Sequence, residues 1–241
     1  MNGGPVIIMQ VLLLLGAAGT TILLAGVALG ALAMGRRRIA ALSAAAAVSL
    51  PLVYSALLLG ASAISQATVL APGVEKYFCE IDCHLAYAVT GTTREAAITT
   101  PQGLVTAQGV FYLVTVRTRF DPNTTSPSRP RTAALTPNPR AVWLVDGAGR
   151  RFSPSLEGMA ALAKAGGAGW PITQALMPGE SYTTTFVFDV PASTNDPKLL
   201  FTDGSPETRL LIGHEVSPYH AKVFFALPSV SALSSRSNRP A

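Results

Sequence analysis

Apolar side chains fill two long runs at the start of the chain, residues 6–34 and 39–64, and after residue 75 they recur at every second position instead. Each run exceeds the ~20 helical residues that cross a bilayer core, so two membrane helices are expected. Gly35, Arg36, Arg37 and Arg38 leave room between them only for a tight turn, and Pro51 kinks the second helix by removing a backbone donor. The later alternation predicts β-strands. The first covers residues 77–89, with Tyr77, Cys79, Ile81, Cys83, Leu85, Tyr87 and Val89 on the core face. Others follow at 110–120, at 141–145 and 150–152 around an Asp-Gly-Ala-Gly turn, and at 182–191, 199–202, 209–214 and 220–227. Ser155 as a cap, with Leu156, Met159, Ala160 and Leu162 at helical spacing behind it, predicts one short helix over 155–164. Residues 92–103 are expected to form a polar connection, and 121–139, interrupted by five prolines, an irregular loop.

Eight short strands separated by turn signals predict an antiparallel β-sandwich. The expected organisation is a transmembrane helical hairpin over 1–66, a tether over 67–74, an immunoglobulin-like sandwich over 75–227 and a disordered tail over 228–241. Charge then sets the orientation. Arg36, Arg37 and Arg38 are the only charged side chains before Glu75, and short arginine-rich loops stay cytoplasmic. Both termini and the main domain are therefore expected outside the cytoplasmic membrane, on the periplasmic side. The first run is too long for a cleaved signal peptide and has no basic residue ahead of it. Gly26, Gly30 and the alanines at 44–47 allow close helix packing, and the lack of acidic or basic groups inside the runs argues for an anchor instead of a transport path.

Of the net charge of +5, the loop arginines supply three, leaving 15 basic against 13 acidic residues, a balance that excludes a nucleic-acid binder. Seven arginines but only Asp121 and Asp146 fall between residues 117 and 151. They form either solvated loops or a basic surface for lipid headgroups or an acidic partner.

The candidate chemistry is a Cys-x-x-x-Cys-His stretch, Cys79, Cys83 and His84. Three readings compete. In the first, both cysteines are small apolar core residues and no cofactor is bound. A disulfide suits an oxidising compartment, but residues four apart on a regular strand are about 13 Å apart, beyond bridging reach. In the second, thiolates and imidazole share copper, with His214, His220 or Met177 completing the ligand set after folding. In the third, the stretch is a lengthened haem c attachment motif, which the strand pattern opposes because the sulfurs and imidazole must cluster around one macrocycle.

Val-Thr-Gly at 89–91, Phe-Tyr-Leu-Val-Thr-Val-Arg at 111–117, Met-Pro-Gly-Glu-Ser at 177–181, Phe-Val-Phe-Asp-Val-Pro at 186–191 and Leu-Leu-Phe at 199–201 carry a resemblance. Together they resemble bacterial membrane-anchored, extracytoplasmic immunoglobulin-like domain proteins of unknown function, over residues 77–227. The resemblance implies an interaction module of the cell envelope with a protein partner, and it transfers no catalytic residue. The two helices and the cysteine pair also resemble subunit II of haem-copper oxidases. There the cysteine loop lies late in the domain and a histidine follows four residues after its second cysteine; here the motif opens the domain and Tyr87 stands in that place. The expected function is binding without turnover, with copper binding or electron transfer as the alternative.

Overall fold

The computed structural model describes residues 3–80, 83–125 and 127–228. The chain divides into two compact units, 1–67 with 205–222, and 68–204 with the segment from Val223 onward.

In the first unit, α1 (Gly3–Ala33) and α2 (Arg37–Ala63) form a helical hairpin. Gly35 makes the reversal with a φ of 72°, a left-handed geometry that suits glycine. The Arg36 amide then bonds back to the Ala31 carbonyl at 2.8 Å and satisfies the helix end. Large apolar side chains cover the outside, Ile22 and Leu42 each being 73% exposed. Thr21 and Ser62 turn their hydroxyls onto the carbonyls four residues earlier, Ala17 and Leu58, so neither needs water. The segments Ile7–Ala33 and Arg37–Ala63, 27 residues each, are long and apolar enough to cross a membrane. Pro51 sits inside α2 and lines a cavity of about 330 Å³ with Leu14, Ala17, Tyr54 and Ser55.

The strand expected at 209–214 is not formed. A 3-10 helix, Pro206–Leu210, and a series of turns replace it, starting where proline supplies no backbone donor. The carbonyls of Leu210 and Ile212 accept instead from the Tyr54 hydroxyl and the Gln10 amide, both at 2.8 Å. Two helix side chains have taken the place of a neighbouring strand.

The second unit is a two-sheet sandwich with one short helix. One sheet has the order β1 (Thr68–Leu70), β9 (Val223–Ala226), β8 (Lys198–Asp203), β5 (Arg140–Val145), β6 (Arg151–Phe152). The other has the order β2 (Lys76–Glu80), β3 (Cys83–Thr100), β4 (Gly103–Phe120), β7 (Ser181–Val190). All pairs are antiparallel except β1 with β9, so the sandwich is mixed and the segment read as a tether contributes a strand. Strand β9 is also shorter than the 220–227 expected. The core between the sheets holds Leu85, Tyr87, Val89, Val114, Phe120, Leu144, Phe188, Phe201 and Phe225, all essentially inaccessible.

The single strand expected at 77–89 is instead two. Phe78 pairs with Leu85, Cys79 with His84 and Glu80 with Cys83, so the chain folds back on itself. Residues that pair across a hairpin share a face, and an odd sequence separation reverses the phase of the alternation. Phe78, not Tyr77, accordingly packs against the core, and Tyr77 is 45% exposed. The connection expected at 92–103 is also paired: β3 and β4 continue to Thr100 and Gly103, with bulges at Val89/Gly91 and Glu95/Ala97. Its apolar residues Ile98, Val105 and Ala107 pack beneath α3 (Leu156–Lys164) with Phe111 and Val187. The Ser155 hydroxyl caps α3 by accepting from the Gly158 amide at 3.1 Å, as the sequence predicts. The tail expected from residue 228 lies, from 229 onward, outside the described residues.

Gly109 lets β4 run close against the end of β7. A Cβ there would stand 2.2 Å from the Val190 carbonyl oxygen, a backbone atom that cannot rotate away. Gly109→Ala should therefore destabilise the sandwich by about 1–3 kcal/mol, as other overpacked sites do. Circular dichroism melting should register this as a midpoint several degrees lower. An unchanged midpoint would mean the strands do not approach as described.

Candidate binding face of the four-stranded sheet

The outer face of the four-stranded sheet is covered by α3 at one end and open at the other. At the open end, cross-strand register aligns Tyr77, Ala86, Arg119 and Ser181 in one row across all four strands, about 14 Å wide at ordinary strand spacing. Ala86 and Ala88 on β3 are too small to separate the long side chains on either side of them. Arg119 reaches over them to Glu75, donating from Nε to Oε1 at 2.8 Å and from Nη2 to Oε2 at 2.6 Å. Arg117 adds a bond to Glu75 Oε1 at 3.2 Å. Arg119 also bonds the Tyr77 hydroxyl at 3.0 Å and Asp121 Oδ2 at 3.3 Å. Both alanines are almost fully buried.

Each group shifts its neighbours. Hydrogen bonds from Arg119 hold the Glu75 carboxyl below its ordinary value, against the opposing effect of burial. At Asp121, burial raises the pKa, but the bonds from the Asn123 amide and Tyr77 and the charge of Arg119 outweigh it and the net shift is downward. Burial first, then the two carboxylates, push the Tyr77 phenol up. The result is a surface whose charged ends are fixed in place. Fixed side chains lose less freedom when something binds them.

The row leads into a groove of about 440 Å³ lined by Trp170, Gln174, Leu176, Glu180, Ser181 and Tyr182. The backbone of Trp170 is held on two sides, its amide donating to the Thr183 carbonyl at 2.9 Å and its carbonyl accepting from the Thr184 hydroxyl at 2.7 Å. Gly169 makes this approach possible. Its φ is 70°, and a Cβ would lie 2.3 Å from the Thr183 oxygen. The Trp170 side chain nevertheless remains 58% exposed. The groove wall is fixed as well, the Tyr182 hydroxyl bonding Ile172 O and Glu180 Oε2 accepting from the Met177 amide, each at 2.7 Å.

The residues singled out by their chemistry are divided between the two units. Cys79 and His84 are cross-strand partners at the tip of the β2–β3 hairpin, and Cys83 pairs with Glu80. The fold-back removes the separation that a continuous strand would impose on the two cysteines. His214 and His220 belong to the unit of the helices. His214 Nδ1 accepts from the Val216 amide at 3.3 Å, and His220 Nδ1 lies 2.7 Å from the Ala221 carbonyl, which makes it the donor there. Among the described residues no group of three or more His, Cys, Asp or Glu side chains is arranged to hold a metal. Among the described residues, arginines between 117 and 151 are drawn into ion pairs, Arg117 and Arg119 with Glu75, Arg140 with Asp203 and Arg150 with Asp146. Their charge is largely spent within the sandwich. The alternation of Arg117 and Arg119 along one strand was the available sequence signal for the network.

No protein-family model matches the chain, and no curated protein does. The solved structures that are similar at low level include three that cover most of their own length. MPT63, a secreted protein from Mycobacterium tuberculosis, aligns over 67% of this chain and 99% of its own at 11% identity and a TM-score of 0.39. The yjhA protein from Bacillus subtilis aligns over 66% and 100% at 12% identity and a TM-score of 0.38. An uncharacterised β-sandwich protein from Clostridium difficile 630 aligns over 68% and 97% at 9% identity and a TM-score of 0.36.

The network makes stability depend on acid. A carboxylate whose pKa is depressed in the folded state stabilises it above the unfolded-state value, and that contribution disappears as pH falls through the folded one. With ordinary values of 4.5 for Glu75 and 3.8 for Asp121, the loss should begin below pH 4.5. Urea unfolding should show Glu75→Gln costing up to about 1 kcal/mol at neutral pH, the range of partly exposed pairs, with the difference from wild type shrinking on acidification. An equal difference at both ends of the pH range would remove the carboxylate from this role.

Proposed function

We propose that the protein is a membrane-anchored, extracytoplasmic binding module of immunoglobulin-like type, and that it engages a protein partner of the cell envelope. The observation that carries the reading is Trp170, exposed over a groove although its backbone is held from two sides. Tryptophan, tyrosine and arginine are the residue types that dominate binding energy at protein interfaces. Trp170, Tyr77 and Arg119 occur together at the open end of one sheet. The apolar exterior of α1 and α2 supports anchoring in the cytoplasmic membrane, and the arginine turn between them supports the orientation with the sandwich outside.

A photo-crosslinking amino acid at position 170 should give a discrete adduct in intact envelopes, weakened by Arg119→Ala. The same probe at Lys164, on α3, should give none. Adducts of equal strength from both positions, or from neither, would remove the binding face.

Copper binding is a second reading, supported by the hairpin register that pairs Cys79 with His84. Under reducing conditions, copper should then raise the thermal midpoint of the wild type and leave His84→Ala unchanged. No rise in the wild type retires this reading.

A further inference from the structure

The segment Ser205–Lys222 leaves the sandwich after β8, joins the helical unit and returns to β9. Its attachments lie at a revealing height on the helices. Measured from the arginine turn at 1.5 Å per residue, Tyr54 is about 26 Å along α2 and Gln10 about 35 Å along α1. A bilayer hydrocarbon core is about 30 Å thick, so the two side chains bracket its far boundary. The third attachment, the Ala221 amide donating to the Ser65 hydroxyl at 2.8 Å, is about 42 Å from the turn and beyond that boundary.

At this depth a loop carbonyl has little water to bond, and an unsatisfied one is costly. Gln10 and Tyr54 satisfy two, at Ile212 and Leu210. Within the segment the Ser217 hydroxyl takes the Leu211 carbonyl and the Lys222 ammonium takes that of Glu215. The outward side carries Leu210, 51% exposed, and Tyr219, 89% exposed and held at a φ of 61° that tyrosine seldom adopts. Tyrosine favours the headgroup layer, where its ring is shielded and its hydroxyl hydrated. Arg209 has an aliphatic stem long enough to keep its charge in that layer.

We propose that Ser205–Lys222 is an interfacial segment, docked on α1 and α2 by Gln10 and Tyr54, that presents Leu210 and Tyr219 to the headgroup layer of the outer leaflet. The proposal rests on the membrane reading of the helices. The test uses the full chain in vesicles of phosphatidylcholine and phosphatidylglycerol, with Trp143→Phe and Trp170→Phe as background. Tyr219→Trp should emit at shorter wavelength than in water and be quenched by lipids brominated near the top of the acyl chain more than by lipids brominated near its end. Leu23→Trp, about 15 Å from the turn, should show the reverse order. Adding Gln10→Ala and Tyr54→Phe should release the segment and abolish the quenching at 219. If position 23 is quenched while 219 stays water-exposed and open to aqueous iodide, the proposal fails and the membrane reading stands. If neither is quenched, both fail. Quenching at 219 that survives the loss of Gln10 and Tyr54 overturns the docking.

Discussion

The pairing of Phe78 with Leu85 decides which face of the hairpin is which, and the rest of the sandwich is built on that decision. It turns Phe78 inward, where its ring meets Tyr87 edge-on at 5.4 Å and Phe201 at 5.9 Å. The buried Arg140 guanidinium lies over the same ring at 4.4 Å, so the cluster joins the two sheets through aromatic and cation contacts as well as by burial. The same pairing turns Glu75 and Tyr77 outward to Arg119. A slip by one residue would bury the acid and expose Phe78. Core and network therefore stand or fall together.

Much of the fold was legible because its signals are local. The two apolar runs are long enough to be helices whatever surrounds them, Ser155 caps α3 through its own third neighbour, and the Asp146–Arg150 turn is formed by adjacent residues. Strands β4 and β7 were legible from strict alternation. The fold-back between Glu80 and Cys83 was not, since no glycine or proline marks it and the alternation runs through it unbroken. The paired stretch beyond residue 92 was hidden by its polar composition; an antiparallel ribbon needs apolar residues only where α3 covers it.

The candidate site was less legible because the contacts that assemble it join residues distant in sequence. Glu75 and Arg119 are 44 positions apart, and the exposure of Trp170 depends on where β7 runs. The segment Ser205–Lys222 misled for a related reason: its apolar alternation matches a strand, but its carbonyls are bonded by its own turns and, at Leu210 and Ile212, by side chains on helices. Both units share one device. A residue of the wrong character for its surroundings, Gln10 in an apolar helix or Ala86 under a charged network, makes the contact possible.

The parallel pair β1–β9 has a mechanical meaning. Strand β1 is the first element after α2 and is paired to β9 at only three positions, Thr68, Val69 and Leu70. Three paired positions at a sheet edge open more readily than the long ladders of β3, β4 and β7. Peeling β1 away would free the chain only as far as Gly73, whose amide donates to the Val89 carbonyl at 2.9 Å, and would leave the four-stranded sheet intact. The pair is thus a sacrificial edge, a place where the sandwich can loosen while its long ladders stay closed.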